Sequence, residues 1–163
     1  MKTDLARSIL SPSFTPAVRD VPAVVDLLLR GTATPAAVTV ALLRVGKPAI
    51  AGLCAALAAA PKDVRIELVA ILGRLIVETG SEPTPLLSLL DDPERKVARA
   101  AVVALGKLPP GQKDVEAALV ERFSRLTEPA DRRALAESLG KIGGALSLEL
   151  LESVKDEAGS VLA

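Results

Sequence analysis

The chain has no histidine, tryptophan or tyrosine, and its 163 residues include only two phenylalanines, one cysteine and one methionine. Without histidine there is no Ser–His or Cys–His nucleophile pair and no imidazole metal ligand, and without tyrosine no phenolic general acid. The single cysteine, Cys54, excludes an intramolecular disulfide. It lies in the apolar run AIAGLCAALAAA with no base beside it, and reads as a small buried hydrophobe rather than a reactive thiol. Net charge is absent too, since twenty basic and twenty acidic residues cancel, so no global attraction to nucleic acid or to an anionic membrane follows. With so few aromatics, base stacking has few candidates. Nor is there a long hydrophobic run. The longest, residues 49–60, falls short of the roughly 18 residues that span a membrane, and the charged opening MKTDLARSIL is not a secretory signal. The expectation is a cytoplasmic protein with no membrane partner, no cofactor and no metal.

What is present is aliphatic. Hydrophobic residues make up 50% of the chain, supplied by Leu, Val, Ile and Ala, and a core without aromatic area favours close-packed helices over a sheet sandwich. Residues 86–108, LLSLLDDPERKVARAAVVALGKL, show the unit from which the chain is built. Leu86, Leu87, Leu89 and Leu90 form an apolar ridge in a first helix. A turn follows in which Asp92 is expected to cap the second helix, with Pro93 at its first position. In that second helix Val97, Ala101, Ala104, Leu105 and Leu108 recur at the spacing of one helical face.

Versions of this unit recur along the chain. Pro22, Pro35, Pro48 and Pro61 are each 13 residues apart, which fits a helix of about ten residues and a short turn, each helix opened by its proline. Helical hairpins are predicted over 22–45, 48–78, 83–108 and 113–142, with a last helix over 147–155. Aligned on ALLRVG, AILGRL, ALGKL and SLGKIG, the second helices place Leu43, Gly73, Gly106 and Gly140 in register at spacings of 30, 33 and 34 residues. Residues 1–20 read as a leader packing over the first hairpin, and 21–163 as the repeat domain. The segment DEAGSVLA begins another second helix that the chain does not finish, with Val161 and Leu162 as packing residues. The incomplete unit suggests the N-terminal domain of a longer protein and leaves end-to-end self-association open.

VRIELVAILGRL from Val64 and DDPERKVARAAVVALGKL from Asp91 resemble HEAT repeats, in particular the short bacterial variety also found in phycobilisome lyases. The resemblance implies an all-α fold, a right-handed α-solenoid of about four to five HEAT-like hairpins whose inner helices line a concave face. It implies protein binding or scaffolding, and it transmits no catalytic residues. It also places an arginine after the valine that opens each second helix. Arg65 and Arg132 match, while the third unit has Ala98 there and Arg99 one residue later. Such arginines are expected to pair with turn acids such as Asp63 or Asp92.

Positions on the second helices away from the packed face form one stripe: Ala36, Val40 and Arg44; Ile66, Ala70 and Arg74; Arg99, Val103 and Lys107; Arg133, Glu137 and Lys141. Members of each set are four residues apart and share a helical face. The terminal cations Arg44, Arg74, Lys107 and Lys141 have two readings. They are favoured by the free carbonyls and dipole of a helix C-terminus, and they form a basic rail beside an apolar groove suited to an acidic, partly hydrophobic segment. The expected function is that of a non-enzymatic scaffold or adaptor holding a protein partner along the inner-helix face. The alternative is an accessory domain that recruits substrate for a larger enzyme, one acting on RNA, through contacts of Arg74, Arg99, Lys107, Arg133 and Lys141 with phosphates.

Overall fold

The computed structural model describes residues 2–161, with side chains described over 5–155, and it contains ten α-helices and no strand among them. The prolines set the pace as predicted. Pro22 lies in the first turn of α2 (Val21–Leu29), and Pro35 opens α3 (Pro35–Val45). Pro48 and Pro61 stand immediately before α4 (Ala49–Ala59) and α5 (Lys62–Thr79). A proline in the first turn forfeits only an N–H that would have no intrahelical partner. Where α5 must stop, Gly80 adopts φ 58° and its N–H donates to the carbonyls of Ile76 and Val77, a left-handed turn that a side chain would resist.

The chain folds as two compact units that divide between residues 85 and 86. In the first, α2 pairs with α3 and α4 with α5, and the hairpins stack through α2 on α4 and α3 on α5. Val24, Val38, Leu42, Leu53, Leu68 and Leu75 are wholly excluded from water at their centre. Gly52 permits the α2–α4 approach, since a Cβ there would lie 2.7 Å from Val21 Cγ1. The leader forms α1 (Lys2–Ser8), which packs on α2, and a 3₁₀ turn at Val18–Asp20. Ile9 is buried behind it, and the Arg44 guanidinium donates to the carbonyls of Ser11 at 2.7 Å and Phe14 at 2.8 Å. Arg44 therefore pins the leader instead of ending an open basic rail.

The second unit is built the same way with one shortened helix. After α6 (Thr84–Leu87) the chain continues in successive turns, with Leu86 and Leu90 buried, and enters α7 (Arg95–Leu105). The expected cap is displaced here. Asp92 Oδ1 accepts from the Glu94 N–H at 2.9 Å, closing a turn around Pro93, so the helix begins two residues beyond the proline with Glu94 at the cap position. Then follow α8 (Lys113–Arg125), α9 (Pro129–Ile142) and α10 (Ala145–Val161). α7 packs on α9, and α8 packs on both α9 and α10. The last helix thus starts two residues earlier and runs further than predicted. The packing expected of Val161 and Leu162 lies outside the described side chains.

Two small-residue contacts hold this unit tightly. Buried Glu116 of α8 accepts from the Ser147 N–H at 2.7 Å, satisfying a donor in the first turn of α10, and its carboxylate occupies the space a Cβ on Gly144 would need. Gly106, at the end of α7, faces Ser138 of α9 so closely that a Cβ would stand 2.7 Å from the Ser138 Cβ and 2.9 Å from its Cα. Gly106→Ala is therefore expected to force α7 and α9 apart. The cost is on the order of 1 kcal/mol net, because alanine's helix preference offsets part of the overpacking. Urea unfolding followed by far-UV circular dichroism would show a lowered midpoint, and an unchanged or raised midpoint would contradict this contact.

Candidate interaction face and arginine cleft

The stripe residues occupy different settings. On α5, Ile66 is half-buried while Ala70 and Arg74 are exposed. On α7, Val103 is 41% exposed, a large value for a valine, with exposed Lys107 one turn on. On α9, Arg133, Glu137 and Lys141 are all exposed, and Arg133 Nε lies 3.3 Å from Glu137 Oε1, an ion pair within one helix. Because α7 and α9 pack together, the second unit carries two of these sets on adjacent helices. Arg99 departs from the stripe. It is half-buried and turned into a cleft beside α7.

That cleft has a volume of about 240 Å³ and lies between α7 and the turn joining α8 to α9. Its floor is apolar, with Ala98, Val102, Leu126 and Leu135, and Arg95, Arg99, Arg122 and Arg125 stand around it. At one end lies Asp131, only 8% exposed. Arg95 donates to Asp131 Oδ2 from Nε at 3.1 Å and from Nη2 at 2.7 Å, and Arg99 Nε donates to Oδ1 at 2.7 Å. Burial pushes the Asp131 carboxyl upward, but the hydrogen bonds and charges of Arg95 and Arg99 outweigh it and hold the group below the usual carboxylate range. The pairing with Asp131 likewise raises the Arg95 guanidinium above its ordinary value. Arg122 reaches Asp91 at 2.8 Å, and Arg125 pairs with Glu121 one turn back.

At Arg132 this arrangement departs from the expected arginine ladder. Arg132 does not pair with a turn acid. Its guanidinium stacks over the Phe123 ring, 4.3 Å from the centroid, and donates to the Leu126 carbonyl at 3.1 Å, closing the α8–α9 turn. Between α7 and α9 an ionic link is made by Arg95 and Arg99 on Asp131, a residue that sequence reasoning passed over. One signal was available. An acid in the first turn of α9, aligned with the valine that opens α7, has two arginines of α7 within one helical turn of its level. Cys54 is half-buried, and burial raises its thiol, as befits a packing residue.

Among the described residues no group of three or more His, Cys, Asp or Glu side chains comes together to hold a metal ion, and no helix is long and apolar enough to cross a membrane. Stacked helical hairpins, a leucine and valine core and exposed second-helix faces define an α-helical repeat protein of the solenoid type. Within that class, residues 83–163 match the family model described as HEAT repeats, which supports a HEAT-like repeat family. Comparison with curated proteins and with solved structures gave no match. HEAT repeats generally serve as protein-interaction scaffolds, typically without catalytic activity.

Proposed function

We propose that this chain is an adaptor that holds a protein partner against the exposed face of α7 and α9, around Val103, Lys107, Arg133, Glu137 and Lys141, with Ile66, Ala70 and Arg74 offering a like surface in the first unit. The observation that carries the reading is Val103. A valine 41% exposed in the last turn of a helix whose opposite face is fully buried leaves apolar area open to water, with Lys107 four residues on to orient what covers it. Apolar contact supplies affinity, and flanking charges supply orientation and register.

The full chain, immobilised and exposed to lysate of its source cells, is expected to retain a protein in stoichiometric amount. Val103→Asp should reduce that retention about tenfold, the effect of one desolvated apolar contact replaced by a charge. Recovery unaffected by Val103→Asp and by Lys107→Glu would sink the reading. Recovery of RNA that falls steeply between about 50 and 200 mM salt would favour a nucleic-acid recruiting domain instead.

A further inference from the structure

Resting on the protein-binding reading of the α7–α9 face, we infer that its occupant is an acidic segment with an apolar centre. The middle of the segment covers Ala100 and Val103, and carboxylates toward its two ends are taken by Lys96 and by Lys107 with Lys141. Spacing carries the argument. Lys96, Ala100, Val103 and Lys107 follow one another at intervals of four, three and four residues, which keeps them on one helical face. Ala100 is half-buried and the other three are exposed. Neighbouring α9 runs in step with α7, since Arg99 reaches Asp131 and Gly106 abuts Ser138, each thirty-two residues on. Lys107 therefore stands level with Leu139, two residues and about 3 Å from the height of Lys141. The result is a row about 16 Å long, cationic at both ends and apolar between them.

Charge pairing separates these lysines from the arginines beside them. The acids of α7 and α9 are Asp131 and Glu137. Asp131 is held by Arg95 and Arg99, and Glu137 lies 3.3 Å from Arg133 Nε. Lys96, Lys107 and Lys141 make no ion pair among the described residues, so the face keeps unmatched positive charge at both ends. The helix dipole accounts for cations at helix C-termini, where Lys107 and Lys141 stand. It does not account for Lys96, which occupies the first turn of α7, where the dipole opposes positive charge and no acidic residue accompanies it. A carboxylate arriving from outside the chain offsets that repulsion, and the exposed apolar centre between the lysines favours a peptide over a uniformly charged chain. A nucleic-acid strand fits less well. It would carry unbroken charge across Val103 and past Glu137, and neither α7 nor α9 contains an aromatic residue for stacking.

The test titrates the acetylated, amidated peptide Glu-Glu-Ala-Leu-Ala-Glu-Glu into the ¹⁵N-labelled full chain while backbone amide shifts on α7 and α9 are followed. Extended, this peptide sets glutamates at both ends of the row and leucine at its centre. Saturable shifts along residues 96–107 and at Lys141, with Kd of about 0.1–1 mM, are expected. The counterpart with glutamine in place of glutamate has the same length and leucine but no charge, and should bind about tenfold more weakly. Lys96→Gln should weaken binding about threefold while its urea midpoint equals or exceeds that of wild type, because the substitution removes a cation from a helix N-terminus. No saturation by about 10 mM, or wild-type affinity in both Lys96→Gln and Lys107→Gln, overturns the inference. Shifts produced by a short oligouridylate but not by the peptide overturn it in favour of a phosphate ligand. Glutamate and glutamine peptides that bind alike, both weakened by Val103→Asp, remove the acidic occupant and leave the α7–α9 face. Glutamate-peptide binding indifferent to Val103→Asp removes the face itself, and this inference with it.

Discussion

Leu105→Asp is expected to unfold the second unit at room temperature. Leu105 has no exposed surface and closes the buried face that Val97, Ala101 and Ala104 form on α7, which packs on α9. The substitution removes the leucine's burial and places a carboxylate at a position wholly excluded from water, a combined cost of about 4 kcal/mol or more. A domain of this size holds roughly 5–15 kcal/mol in total, so little stability remains. Leu105→Asn separates the two causes, because it loses the same apolar contact without the charge. It should be destabilised less, and the gap between Asn and Asp should narrow as acid protonates the carboxylate. Hydrogen exchange gives the readout. Amides of α7 to α9 should lose protection in Leu105→Asp while those of α4 and α5 keep theirs, since each unit has its own core. Loss of protection in both units together would show that they unfold as one, and a wild-type urea midpoint would contradict the burial argument.

The residues that made this effect foreseeable were legible from the chain alone, and it is instructive which were not. Proline spacing located α2 to α5 because a proline near a helix start reports local backbone chemistry, independent of what packs above it. The face of Val97, Ala101, Ala104 and Leu105 was legible because helical periodicity is a short-range property. The turn at Asp91 to Glu94 was harder. Asp92 can serve either a helix N-terminus or the N–H two residues on, and Pro93 fits both, so the competition between two local hydrogen bonds decided the helix start.

The cleft was the least legible part. Arg95 and Arg99 stand more than thirty residues from Asp131 in the chain, and they meet it only because α7 and α9 pack side by side at the approach that Gly106 permits. Nothing in their local sequence distinguishes them from surface charge. The same holds for Arg44, whose setting at a helix end invited a role in a rail. Its contacts with the carbonyls of Ser11 and Phe14 depend on where an irregular leader comes to rest. Periodicity, in short, reads which face of a helix is buried, but it cannot read which charged residues two helices bring together.

Asp131→Asn carries that lesson to a measurable result. Both carboxylate oxygens of Asp131 are engaged by guanidinium donors, and an asparagine would present an NH₂ donor to one of them while removing the charge that both arginines face. Arg95 and Arg99 stay partly open to water, 61% and 41% exposed, so the loss is less than that of a fully buried pair and should be about 2 kcal/mol at pH 7. The dependence on pH has a definite sign. A carboxyl held below its unfolded value in the native state stabilises fully above that unfolded value, near pH 3.9, and its contribution fades as pH falls through the lower folded value. The difference in urea midpoint between wild type and Asp131→Asn should therefore be constant from neutral pH down to about 5, then shrink as acid protonates Asp131 in the wild type. A difference that persists undiminished into strong acid would mean that asparagine harms the fold by shape alone. The arginines would then contribute nothing through the charge of Asp131.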